Sequence, residues 1–173
     1  MKIAGLRHSA EQVGGIVFFG RMLDKIRLHA QVKLPADYKH GTGTDLRVCR
    51  FLHVEYPAVV ERVLVGATDN EVLEWCFANG RKPNEEEILI FNAFLSKRGW
   101  RDNQTEELEQ MKRERGFAGR ADIQTFFDFH KADEQVTDHR PAPLEKPVDG
   151  QSVEEEEDRL QPREETLEVA MAK

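Results

Sequence analysis

The stretch SAEQVGGIVFFGRMLDKIRLHAQV, residues 9–32, decides the fold of this chain. Ser9 is followed three residues on by Gln12, the spacing of a capping box, so the sequence predicts a helix that opens at Ser9 and runs to about Val32. Projected at about 100° per residue, Val13, Ile16, Phe19, Gly20, Leu23, Ile26 and Ala30 share one broad face. Val17, Phe18, Met22 and Leu28 lie outside it. A helix apolar nearly all round is a central helix wrapped by others. Gly14, Gly15 and Gly20 weaken it locally and, carrying no side chains, let neighbouring helices approach closely.

Downstream, start and stop signals repeat. Leu34 to Thr44 is a loop, broken by Pro35 and the Gly-Thr-Gly-Thr run at 41–44. Asp45 to Leu52 is one or two helical turns. A helix starts at Tyr56 or Pro57, where a proline in the first turn costs little, and ends at Gly66. Thr68 with Glu71 and Asn84 with Glu87 are capping boxes that open two more helices. The second of these holds Ile88, Phe91 and Leu95, flanked by Ile90 and Phe94, and reads as buried. Asp102 or Thr105 caps a weaker helix ending at Gly116, and a last helix starts near Arg120. No segment shows sustained alternation between hairpin turns, so no sheet is expected. The fold class is all-α: a compact bundle of about six short to medium helices around a central N-terminal helix.

Composition divides the chain into residues 1–132, a helical domain, and residues 133–173, an acidic tail. The first part carries 20 Lys and Arg against 19 Asp and Glu; the second carries 5 against 13, so the tail holds the whole net charge of −7. The tail has four of the seven prolines and no aromatic residue, and such a segment buries too little apolar area to offset its ordering entropy. It is expected to be disordered. A near-neutral body has no field to gather a polyanion, which argues against nucleic acid as a partner. The only long apolar run, Gly14 to Gly20, is too short for a membrane span and wrongly flanked for a signal peptide. With Cys49 and Cys76 read as reduced, buried thiols, a cytoplasmic location is expected.

The candidate chemistry gathers on the first helix. Arg27 falls within the projected apolar stripe and needs a partner there, which Asp24, one turn earlier, supplies. Arg21 is a further turn back, so Asp24 is expected between two arginines, with Lys25 beside it. This pattern has two readings, a buried ion-pair network that fixes helix packing or an anion pocket in which arginine takes a carboxylate or phosphate through its planar fork. In the following loop, Tyr38, Lys39 and His40 precede Gly41 and Gly43, whose backbone N–H groups can approach a ligand. That run lacks the spacing of a phosphate loop. No histidine pair or Cys-x-x-Cys has metal-ligand spacing, and neither a metal nor a cofactor is expected. Lys97, Arg98 and Arg101 read as cations that complement a helix C-terminus, with Trp100 packed behind them.

The stretch from Gly14 through Arg21, Asp24, Lys25 and Arg27, then Asp45-Leu46-Arg47, Phe51-Leu52 and Asp69 to Trp75, resembles a bacterial family known as a domain of unknown function, numbered 5069. The resemblance covers roughly Gly5 to Phe129. It implies a helical, cytoplasmic bacterial domain and supplies no activity. The residues therefore point to a module binding a small anionic ligand or a protein partner through Arg21, Asp24, Lys25, Arg27, Tyr38 and His40. The alternative is a small enzyme at the same site, with Asp24 and His40 converging and the histidine acting as acid and base. Oligomeric state is not legible.

Overall fold

A computed structural model describes residues 2–135. In chain order it comprises β1 (Gln12–Val13), β2 (Ile16–Val17), α1 (Phe19–Ala30), α2 (Thr44–Leu52), α3 (Tyr56–Leu64), α4 (Asp69–Asn79), α5 (Glu85–Lys97), α6 (Thr105–Glu114) and α7 (Phe126–Gln135). The fold is helical, with one small two-stranded sheet. The expected disordered tail lies, from residue 136 on, outside the described residues.

The expected helix start at Ser9 is wrong, and so is the expectation of no sheet. Residues 12–17 form an antiparallel hairpin pairing Gln12 with Val17 and Val13 with Ile16. Gly14 and Gly15 have φ of 55° and 83°, and a two-residue type I′ turn needs a positive φ at both central positions. The glycines thus make a turn rather than thin a helix. So short a hairpin is marginal alone, and Asn92 on α5 ties it down. The Val17 amide donates to Asn92 Oδ1 at 3.1 Å, and Asn92 Nδ2 donates to the Gly15 carbonyl at 2.7 Å. Ser9, instead of capping a helix, is fully buried, with its hydroxyl 2.7 Å from His130 Nδ1 and its carbonyl accepting the Phe18 amide. Phe18 adopts a left-handed conformation (φ 66°) and turns the chain from hairpin into α1.

α1 is central, as its sequence implies. Phe19, Met22, Leu23 and Ile26 join Val48, Cys49, Leu52, Val59, Val63, Val72, Leu73 and Cys76 in the main core. The capping boxes at Thr68 and Asn84 are both formed. Two other helix starts differ. Asp102 accepts the Gly99 and Gln104 amides, and α6 opens at Thr105 with Gln104 as its cap residue. The last helix begins at Phe126, where Thr125 Oγ1 accepts the Asp128 amide and Asp128 accepts the Thr125 amide. A second, smaller core of Leu108, Phe117, Ile123 and Phe129 lies around α6 and α7. α5 is not buried all round, since Leu89 and Ile90 are largely exposed and Phe94 nearly half exposed, and Trp100 is half exposed rather than packed behind the basic residues.

Candidate functional site

The polar half of α1 is buried almost as completely as its apolar half. Arg21 is 2 % exposed, Lys25 5 % and Asp24 8 %. Arg27, expected in the apolar stripe, is instead half-buried at its edge. Three of these four side chains are cations, so helix neighbours alone cannot neutralise them. The missing acids come from distant elements and organise the charges into two flanks.

Along one flank Arg21, Lys25 and His29 succeed one another at four-residue spacing, which places them in a row. The loop after α1 and the start of α2 run beside that row and supply one partner at each step. Arg21 Nη2 donates to the Tyr38 hydroxyl at 2.6 Å, and its Nη1 donates to Glu134 on α7 and to the Arg7 carbonyl, both at 2.6 Å. Lys25 Nζ lies 2.5 Å from Asp45 Oδ1 and 5.0 Å over the Phe18 ring. The His29 and His40 rings meet with centroids 4.0 Å apart, and His40 Nδ1 is 3.5 Å from the Tyr56 hydroxyl. The amide of Gly41, which its glycine leaves able to approach a ligand, donates instead to Asp45 Oδ2 at 2.7 Å. The glycine run therefore frames a buried carboxylate.

Burial dominates the electrostatics of this row. It lowers the Lys25 ammonium from its ordinary value against the pull of Asp45, and it raises Asp45 against the pull of Lys25. Each ion is destabilised by leaving water and recovers part of the loss from the other. Burial raises the Tyr38 phenol, opposed by Arg21. His40 is lowered by burial and then by His29. His130 is held well below its ordinary value by burial and then by the positive charges of Arg21 and Lys25.

The other flank faces Arg7. Its Nε and Nη2 reach the two Asp24 carboxylate oxygens at 2.7 and 2.6 Å, and its Nη1 reaches Asp69 at 2.5 Å. Arg27 Nη1 reaches Asp69 at 2.7 Å, and stands 3.8 Å from Asp24. Gly20 makes room for this cluster, because a Cβ there would stand 2.6 Å from Arg7 Nη1. Burial alone would raise Asp69, but hydrogen bonds from Arg7 and Arg27 carry it below its ordinary value.

The structure therefore brings Arg21, Lys25, Tyr38 and His40 to one flank and places Asp24 and Arg27 on the other. The expected Asp24 bridge between Arg21 and Arg27 is not formed, since Arg7 takes that carboxylate. Arg7, Asp45, Asp69 and Glu134 were missed. Arg7 is 17 residues from Asp24 and 62 from Asp69, and Glu134 is 113 from Arg21, beyond any local spacing rule. The one sequence signal for such partners is the cation surplus on α1 itself. Among the described residues, no three His, Cys, Asp or Glu side chains converge as a metal cage. Cys49 and Cys76 are buried free thiols, each pushed up to about 12 by burial, which makes them poor nucleophiles.

What the fold and this site define is a helical domain braced by charges along its central helix. The chain belongs to the domain of unknown function family DUF5069, whose model matches residues 4–136. No curated protein matches the sequence. Among the described residues no helix is long and apolar enough to cross a membrane.

Proposed function

We propose that the domain is a cytoplasmic module that binds a small anion, a carboxylate or a phosphate, on Arg21 and Tyr38. The observation that carries this reading is the occupant now on that pair. A carboxylate, that of Glu134, sits 2.6 Å from Arg21 Nη1 while Tyr38 holds Nη2. It comes from the end of α7 rather than from the core around α1. A guanidinium and a phenol held on a buried helix and a packed loop form a rigid fork for an anion, and the Glu134 carboxylate stands where a ligand's carboxylate or phosphate would. The buried reduced thiols support the cytoplasmic placement. The enzyme reading asks Asp24 and His40 to act on one ligand, and Asp24 is instead committed to Arg7 on the opposite flank.

Thermal unfolding of the full chain against inorganic phosphate, sulfate, nucleotides and mono- and dicarboxylates tests the proposal. A binder at a hundredfold excess over its Kd adds about 2.7 kcal/mol of stability, a shift of several degrees. Tyr38→Phe is expected to weaken the response and Arg21→Gln to remove it, with circular dichroism confirming that both fold. A silent screen, or a full response in folded Arg21→Gln, overturns the reading.

A further inference from the structure

The solvent face of α5 is apolar where a surface helix is ordinarily polar. At helical spacing it presents Glu86, Leu89, Ile90, Ala93, Phe94 and Lys97, all exposed. Leu89 is 62 % exposed, Ile90 61 % and Phe94 43 %. The opposite face packs Phe91 and Leu95 into the core. Glu86, Ile90, Ala93 and Lys97 follow one another at intervals of four, three and four, the seam spacing of a paired helix. Leu89 and Phe94 flank that seam on its two edges.

The order of these residues selects the occupant. Reversed end for end about the point between Phe91 and Asn92, the face falls on itself. Glu86 comes level with Lys97, Leu89 with Phe94, and Ile90 with Ala93. We infer that this face docks a second copy of the chain, the two α5 helices pairing antiparallel about a two-fold axis. Such an axis makes the interface self-complementary, each contact occurring twice. Glu86 and Lys97 are about 16 Å apart along the helix at 1.5 Å per residue, so an acid of one copy meets a base of the other at both ends. A parallel pair would oppose Glu86 to Glu86 and Lys97 to Lys97, and like charges across a seam are unfavourable. Among the described residues neither Glu86 nor Lys97 has an ion-pair partner within its own chain, so both are free to pair across the axis. Arg47 lies 5.8 Å over the Phe94 ring and gives the seam a polar edge, while Arg98, itself buried, lies 5.2 Å from the same ring. Stable interfaces bury about 1,200–2,000 Å² in total, and a single short helix pair is expected to bury no more than the low end of that range, so a micromolar dimer is expected.

Sedimentation velocity of the full chain between about 1 and 200 µM, a range that brackets micromolar association, tests the inference. The wild-type chain is expected to pass from monomer to dimer. Ile90→Asp is expected to weaken the dimer at least tenfold with its circular dichroism unchanged. Glu86→Lys and Lys97→Glu each oppose like charges and are expected to weaken it several-fold, whereas the double variant E86K/K97E restores opposite pairs and the wild-type affinity. A chain that stays monomeric throughout, whether its α5 face is bare or covered by something else, overturns the inference. So does a dimer indifferent to Ile90→Asp, or a double variant no better than the singles.

Discussion

Arg7 clasps Asp24 through two parallel hydrogen bonds, Nε to Oδ2 at 2.7 Å and Nη2 to Oδ1 at 2.6 Å, and the Arg7 amide adds a third at 3.0 Å. This fork-to-fork geometry pins the N-terminal segment to the central helix. It also raises the Arg7 guanidinium above its ordinary value, chiefly through the hydrogen bond to Asp24. Arg7→Met leaves a mostly buried carboxylate whose nearest remaining cation is Arg27, at 3.8 Å. Losing one partner of a buried pair costs about 3–5 kcal/mol. The partial exposure of Arg7 places the expected loss near the lower figure, measurable by urea denaturation. Arg7→Lys keeps the charge but not the planar fork, and is expected to recover only part of it.

The hairpin turn offers a sharper test of backbone chemistry. A Cβ at Gly14 would stand 2.1 Å from Leu73 Cδ2, at a φ of +55° that side chains disfavour. Gly14→Ala therefore combines backbone strain with overpacking. A loss of about 2 kcal/mol or more is expected, since overpacking alone costs about 1–3 kcal/mol. Had the segment been helical, as its periodicity suggests, the same change would have stabilised it by about 1 kcal/mol. The sign of the effect separates the two structures.

That contrast shows what the sequence discloses. The caps at Thr68 and Asn84 are legible because each is complete within four residues. The hairpin is legible in principle, since two glycines between Val13 and the Ile16–Val17 pair are a hairpin signal. Helical periodicity competes with that signal because Val13 and Ile16 also stand three apart, a spacing that both periods tolerate over so short a run. The exposure of Ile90 and Phe94 is not legible, because a seam for a partner and a seam for the core have the same spacing. Arg21, Asp24, Lys25 and Arg27 are legible as a polar group on α1. Their arrangement in two flanks is not, because Arg7, Asp45, Asp69 and Glu134 reach α1 only through the tertiary fold. The half-buried position of Arg27 is not legible, because projection fixes a direction and not the depth of the neighbouring surface.

The buried Lys25–Asp45 pair is expected to behave as a coupled unit. Lys25→Met strands a carboxylate that is wholly out of water, at a cost of about 3–5 kcal/mol. Removing the second charge as well, with Asp45→Asn, is expected to recover much of that loss. The asparagine is neutral and its carbonyl still accepts from the Gly41 amide. A double-mutant cycle in guanidinium chloride reads the coupling directly.

His130 makes stability depend on pH. Its folded value is depressed, while the unfolded chain takes up a proton near its ordinary value of about 6.5. The unfolded state therefore binds more protons, and stability is full above about pH 6.5 and falls as the pH drops below it. The slope approaches about 1.4 kcal/mol per pH unit for one differential proton. His40 is lowered also and adds in the same direction. His130→Asn is expected to flatten the profile between pH 7.5 and 5.5 in denaturation at fixed ionic strength, about those limits being set by the histidine value. An unchanged slope would place the responsible group elsewhere.

Glu134 links the proposed anion site to the end of the last described helix. If its carboxylate stands in for a ligand on Arg21, then the two compete, and a ligand binds only by displacing it. Glu134→Gln keeps the shape and a carbonyl acceptor for Arg21 Nη1 while removing the charge. Without the resident anion, a soluble carboxylate or phosphate is expected to bind several-fold more tightly, seen by calorimetry as a lower Kd. The unliganded variant is expected to be less stable, because Arg21, at 2 % exposure, loses its charged partner. The two effects have opposite signs and one origin. A Glu134→Gln protein that loses stability and gains no affinity would mark the contact as a helix brace alone, and the fork of Arg21 and Tyr38 as part of the same lock that Arg7 closes on Asp24.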